Sequence, residues 1–226
     1  MKNMQRYAVY YAPRPGAFAD AAAAWLGWDT LRGCAVGHAQ VGLPLAELTA
    51  EPRRYGFHGT LRAPFRLAEG MGRAEAEGSI QALAKRLVPV VCGGLRLENL
   101  NGFLALTPIG CEAALLELGA EVVTATDPLR APLTAPEIAR RRPESLSSRQ
   151  RDLLEAWGYP FVMEEFRFHL TLTERLAGDR IETVQTAIRA HFDGTLPAPF
   201  IIEDLCFFGQ DSNGVFHLLQ RYPLLG

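Results

Sequence analysis

FHGTL at residues 57–61 and FHLTL at residues 168–172 are almost the same five letters, set half a chain apart. Each places a histidine two residues before a threonine, with a leucine after the threonine. The surrounding sequence repeats as well. GFHGTLRAPF (56–65) reads as a strand ending at Pro64, and apolar residues at helical spacing (Ile80, Leu83, Ala84, Leu87) follow over 73–88. GLRLENLNGFLALTP (94–108) then reads as two strands turned at Asn101-Gly102. The second copy, EEFRFHLTLTERL (164–176), leads into an amphipathic helix over 180–192 and two strands around Asn213-Gly214. His58 to Asn101 is 43 residues and His169 to Asn213 is 44. Five shared letters can arise by chance, whereas a shared order of elements with matched spacing marks a duplicated unit.

The expected fold class is therefore α+β: two pseudo-symmetric lobes of antiparallel sheet plus helices, flanking a central groove. The chain reads as one bilobal domain, with the first motif's lobe at roughly 30–108, inter-lobe helices and an insertion at 109–163, and the second motif's lobe at 164–226. RYAVYYA (6–12) reads as a further strand, and Pro15 opens a helix with Phe18, Ala21, Ala22, Trp25 and Trp28 on its apolar face. Residues 33–54 read mostly as loop, with a short helix near 45–50. Two more helices are expected near 111–125 and 147–157, separated by an irregular segment that carries Arg140, Arg141 and Arg142.

Side chains on a strand alternate between its faces. His58, Thr60 and Arg62 then point one way, and Phe57, Gly59 and Leu61 the other. In the second copy Arg167, His169, Thr171 and Thr173 share a face opposite Phe168, Leu170 and Leu172. The apolar sets belong to the core, which leaves the His-Thr sets on a polar face. Two histidines facing one another can divide general-base and general-acid work near neutral pH. Threonine hydroxyls beside them can donate hydrogen bonds to phosphate oxygens. That combination suits in-line displacement at phosphorus, with the imidazoles expected within reach of a single phosphate.

A net charge of −2 and a pI near 6.2 make long RNA an unexpected ligand. A small phosphate-containing substrate fits better, since a local arginine pocket can exist in a neutral protein. Cys34, Cys92, Cys111 and Cys206 form no CxxC pair and no metal-ligand spacing. They are read as buried free thiols in a cytoplasmic protein. No apolar run is long enough to span a membrane, and MKNMQRYAVYYAPRPG lacks the uninterrupted apolar core of a signal peptide. Neither a cofactor nor a metal is expected, and the oligomeric state is not legible.

The paired HxTL motifs on two duplicated α+β lobes resemble the 2H phosphoesterases, the superfamily that includes 2′–5′ RNA ligase-like and cyclic phosphodiesterase proteins. RRYGFHGTLRAPFRL and WGYPFVMEEFRFHLTLTERL are similar to a bacterial branch described as phosphonate-metabolism proteins and associated with carbon–phosphorus lyase operons. The resemblance implies metal-independent hydrolysis of a small cyclic phosphate or phosphodiester, with His58 and His169 catalytic and Thr60 and Thr171 on the phosphate. Gly59 in the variable position of the motif leaves that pattern intact. Arg62 and Arg167 share the motif faces and are expected to bind phosphate. Arg54, Tyr55 and Thr173 are further candidates, and the arginine run is either a solvated patch or a flap over the groove. The alternatives are an RNA 2′,3′-cyclic phosphodiesterase with 2′–5′ ligase activity, a non-catalytic nucleotide- or phosphate-binding module, a zinc site, and a repeated core unit with merely structural histidines.

Overall fold

A computed structural model describes residues 4–226. Among the described residues eleven strands run in chain order: β1 Arg6–Tyr11, β2 Trp28–Asp29, β3 Cys34–Ala35, β4 Gly59–Phe65, β5 Val90–Cys92, β6 Leu95–Leu100, β7 Phe103–Pro108, β8 Leu170–Thr171, β9 Phe200–Ile202, β10 Asp204–Gln210 and β11 Phe216–Pro223. The helices are α1 Ala17–Leu26, α2 Leu45–Leu48, α3 Ala50–Tyr55, α4 Arg73–Ala84, α5 Glu112–Thr126, α6 Ala135–Arg140, α7 Ser148–Trp157 and α8 Ile181–Phe192. Seven strands form one antiparallel sheet in the order β11-β10-β1-β4-β8-β7-β6, with β2-β3 and β5-β9 as small separate pairs. The two histidine strands thus stand side by side at the centre.

The strands of the two repeats are grouped otherwise than chain order suggests. The lobes expected at 30–108 and 164–226 keep each histidine strand with the hairpin that follows it. In the sheet, β4 lies with β1 and the later hairpin β10-β11, while β8 lies with the earlier hairpin β7-β6. Each hairpin has crossed to the other histidine's side. Antiparallel pairing is available on either edge of a strand, so sequence order alone does not select the neighbour.

One face of the sheet is covered by helices. Tyr7, Val9 and Tyr11 of β1, Leu61 and Phe65 of β4, Leu104 and Leu106 of β7, and Leu205 and Phe207 of β10 pack with Trp25 of α1, Ile80 and Leu83 of α4, Leu118 and Val122 of α5 and Ile188 and Phe192 of α8. The opposite face carries a smaller cluster, Ala8, Tyr10, Cys206, Phe208 and Phe216. This division is the alternation of the strands made tertiary. A third cluster joins Val123 of α5 to Leu153 of α7 and Val162, with Tyr159 packed against it, and so anchors the insertion.

Three local expectations change. α1 stops at Gly27, which caps it at φ +75°, so Trp28 belongs to β2 rather than to the helix face. The second histidine segment keeps only Leu170–Thr171 as strand, preceded by a 3₁₀ turn over Met163–Glu165. Cys92 and Cys111, expected as free thiols, form a disulfide with their Cα atoms 5.1 Å apart. The hairpin explains the pairing: Leu95 faces Pro108 across β6-β7, and the same register carried three residues outward brings Cys92 opposite Cys111. Cys34 and Cys206 remain free. No helix among the described residues is long and apolar enough to cross a membrane.

Candidate active site

The site begins with one backbone pairing. Gly59 of β4 lies opposite Leu170 of β8 in antiparallel register. The next positions outward set His58 against Thr171 and Thr60 against His169, all four on the face away from the helices. The two His-x-Thr triplets therefore meet head to tail. The histidines are diagonal neighbours, a relation that separates residues by roughly 7–8 Å across such a pair. Gly59 makes the approach feasible, because a Cβ there would clash with the edge of the Phe168 ring. That ring is held by Tyr11 and Phe200, 6.1 Å away in each case.

Both imidazoles are oriented in the same way. His58 Nδ1 lies 2.9 Å from the carbonyl oxygen of Gly56, and His169 Nδ1 lies 2.8 Å from that of Arg167. A carbonyl only accepts, so each Nδ1 carries the proton and donates it. The Nε2 atom of each neutral ring is then left as a lone pair. Thr60 Oγ1 lies 3.2 Å from His58 Nε2 and donates to it. Gly56, at φ +71°, turns the chain from α3 into β4 and presents its carbonyl to the ring two residues on.

The surroundings favour neutral rings. Tyr10 lies 4.1 Å from the His58 ring and Tyr55 stacks 5.7 Å away on it. This burial pushes His58 down to about 4, helped by the nearby His169 and resisted by the Gly56 hydrogen bond. His169 is also lowered, by burial, with its bond to the Arg167 carbonyl acting the other way. His169 packs against Phe103, ring centroids 5.6 Å apart.

A groove of about 520 Å³ opens over this face, a size suited to a small ligand. His58, Thr60 and Thr171 wall it; His169 does not, but its ring packs on Phe103, which does. The sequence candidates divide here. Tyr55 lines the groove and stacks on Phe216, 5.1 Å away. Thr173 reaches it, but its hydroxyl accepts from Leu104 N–H at 3.0 Å and donates to the Glu174 carbonyl at 2.8 Å, so it secures β7 to the histidine segment. Arg54 is exposed, 3.5 Å from Glu51, and Arg167 is exposed; neither walls the groove.

Arg62 is a correction. It is 2% exposed, bound to Asp127 at 2.9 Å, with its guanidinium 5.5 Å from the Phe65 ring. The cause is a β-bulge. Tyr10 faces Thr60, but Val9 faces Arg62, so Leu61 is the extra residue. A bulge puts two residues against one and resets the alternation, and Arg62 turns to the side of Val9, away from Thr60.

The groove's cations are instead Arg6, Arg140, Arg141 and Arg175. Arg6 shares the parity of Tyr10 on β1, a signal present in RYAVYYA but mute until β1 is seated beside β4. Arg140 and Arg141 come from the insertion, which folds against the groove. Arg66 fixes it there through Glu137, Nε at 3.1 Å and an Nη at 3.0 Å, and through the Pro132 carbonyl at 2.7 Å. The Arg66 hydrogen bonds hold the Glu137 carboxyl at about 2. Among the described residues no group of three or more His, Cys, Asp or Glu side chains could hold a metal ion.

The chain matches, over residues 60–217, the family described as a protein of unknown function (DUF1045). It is 38% identical, over its whole length, to a ribose 1,5-bisphosphate phosphokinase PhnN of Janthinobacterium sp. (strain Marseille), covering 52% of that protein. A protein of the same name from Laribacter hongkongensis (strain HLHK9) is 39% identical over 96% of this chain and 51% of its own. The chain thus spans about half the length of the curated relatives it matches. Among solved structures, TT0787 of Thermus thermophilus is similar with a TM-score of 0.52 at 14% identity, covering 98% of both chains, which shows a shared fold. A phosphoesterase crystal structure aligns at TM-score 0.47 and 15% identity, covering 98% of this chain and 99% of its own. With 158 residues within the family match and full-length identity near two fifths, the chain belongs to the DUF1045 family of the 2H phosphoesterase group.

Proposed function

We propose that this protein hydrolyses a small cyclic phosphate or phosphodiester by two-histidine acid–base catalysis, without a metal. The observation that carries the reading is the head-to-tail register of the two His-x-Thr triplets on one sheet face, with both Nδ1 atoms engaged by carbonyls. Each Nε2 is then the atom offered to a substrate. His58, the more strongly depressed of the two, is the base: its Nε2 takes a proton from a water as that oxygen attacks phosphorus. His169, protonated, gives its Nε2 proton to the sugar oxygen as the P–O bond breaks. Water and the cyclic diester become a phosphomonoester and a free hydroxyl. Thr171 donates to a non-bridging oxygen as charge builds on it, and the Thr60 hydroxyl turns from His58 Nε2 to do the same once the attacking water takes its place there.

The names of the curated relatives suggest the substrate class. They denote a kinase of ribose 1,5-bisphosphate, a compound that opening a cyclic phosphate of ribose 5-phosphate would supply, and this supports a role in phosphonate metabolism. This chain spans only about half of those proteins, and we read the phosphokinase named there as belonging to the other half. Lys2 and Lys85 are the only lysines, and neither sits in a G-x-x-x-x-G-K-[ST] loop.

The test is turnover of a panel of pentose and nucleoside cyclic phosphates with excess chelator present. Activity that His58→Ala and His169→Ala each reduce by about 10²–10⁴-fold is expected. Wild-type turnover in either folded variant would remove that histidine from the mechanism, and loss on chelation restored by zinc would replace the mechanism.

A further inference from the structure

The end of the groove away from β8 is built differently from the histidine square. Arg6, on β1, holds Gln210 Oε1 through Nε at 2.7 Å, and its guanidinium carbon lies 6.0 Å from the Phe216 ring. Arg141, from the insertion, lies with its guanidinium carbon 4.8 Å over the Tyr159 ring. Among the described residues neither guanidinium meets a carboxylate. The groove's own acids are engaged elsewhere: Glu137 with Arg66, Glu51 with Arg54, and Glu174 with the Glu51 backbone N–H at 2.9 Å. Two arginines from separate elements therefore face one cavity with no protein anion to neutralise them.

Tyr10, which lines the same groove and packs on the His58 ring, is fully buried, its hydroxyl without a hydrogen-bond partner. A buried hydroxyl left unpaired costs about 1–3 kcal/mol. Tyr10 sits opposite Thr60 in the sheet, and Arg6 is four residues away on the same face of β1. Of the charged residues, Arg6 and Arg141 are those whose fields act on this hydroxyl. A neutral donor and two forked cations lining one cavity suit a tetrahedral anion with several acceptor oxygens.

We propose that Arg6, Arg141 and the Tyr10 hydroxyl form a second anion subsite, which takes a non-scissile phosphomonoester of the substrate. The proposal rests on the hydrolase reading of the same groove and narrows its substrate to a compact sugar carrying two phosphoryl groups. One is cyclic and lies at the histidines; the other is terminal and lies at the arginines. Arg66 and Glu137, which pin the insertion, are positioning residues for Arg141.

The experiment separates this subsite from the chemistry. Ribose 5-phosphate has no bond to cleave at the histidines, and its binding by calorimetry is compared with that of ribose. The wild type is expected to bind the phosphate ester and not ribose, with affinity falling at least about tenfold in Arg6→Gln and in Arg141→Gln. His58→Ala is expected to bind it within about threefold of wild type. Turnover is then measured on a pentose cyclic phosphate with and without a 5-phosphate, and the ratio of the two kcat/KM values should fall toward one in both arginine variants. Thermal melts confirm folding, and Arg141→Gln, in the insertion, remains informative should Arg6→Gln unfold. Equal affinity of wild type and Arg141→Gln for ribose 5-phosphate overturns the subsite. Absence of turnover on every cyclic phosphate, with the binding pattern intact, overturns the hydrolase reading and leaves the subsite standing.

Discussion

Lowering the pH should destabilise this protein through His58, by an amount its burial sets. The imidazole lies between Tyr10 and Tyr55 and is pushed from 6.5 down to about 4. Between those values the unfolded chain binds a proton that the folded protein refuses. Stability from the neutral ring is thus complete above pH 6.5 and is lost as pH falls toward 4. At about 1.4 kcal/mol per pH unit the limiting loss is about 3 kcal/mol, of which about 2 kcal/mol is lost by pH 5. In a chain of this length that corresponds to a Tm lower by about 4–8 °C. His58→Gln removes the titration while keeping a polar side chain of similar reach. Thermal and urea melts of both proteins at pH 7 and pH 5 give the comparison, which cancels every other titrating group. The wild type should lose about 2 kcal/mol more than the variant. Equal losses would mean that His58 is not held neutral by burial, and its assignment as the base would lose its support.

The same shifts place the pH optimum. kcat/KM should follow a bell whose acid limb lies near pH 4, where His58 becomes protonated, and whose alkaline limb lies below 6.5, where His169 loses its proton; a bell centred above pH 7 in the hydrolysis assay contradicts this. Gly59→Ala should destabilise by about 1–3 kcal/mol in urea melts and reduce turnover, because the Phe168 ring must leave its packing against Tyr11 and Phe200; a neutral substitution would refute the close approach of the two triplets. Arg66→Ala should raise KM about tenfold or more, with little change in Tm, by releasing Glu137 and with it the Arg140-Arg141 segment; an unchanged KM would show that the insertion does not serve the groove.

Much of the fold was written locally. Asn101-Gly102, at φ +54° and +100°, makes the turn that the two letters demand, and Ser147 caps α7 through the Gln150 N–H. The alternation of Phe57 and Leu61 against His58 and Thr60 correctly predicted which side chains the helices would cover. Arg62 was misjudged by the same rule, since alternation assumes an unbroken strand and Leu61 breaks it. Cys92 and Cys111 were misjudged for another reason: nineteen residues separate them in sequence, and only the closed hairpin makes them neighbours.

By itself the sequence determined the chemistry-bearing residues and the face they share, because a strand's period of two is a property of the backbone and a repeated triplet survives in the letters. The tertiary structure alone decided what surrounds them. Each hairpin joined the other repeat's histidine strand, β1 brought Tyr10 opposite Thr60 with Arg6 further along the same face, and the insertion came back over the groove on its Arg66–Glu137 anchor. Those contacts join residues tens to hundreds of positions apart, through sheet edges and long side chains that leave no periodic trace. Local spacing can specify a strand's two faces, but not which other strand lies beside it.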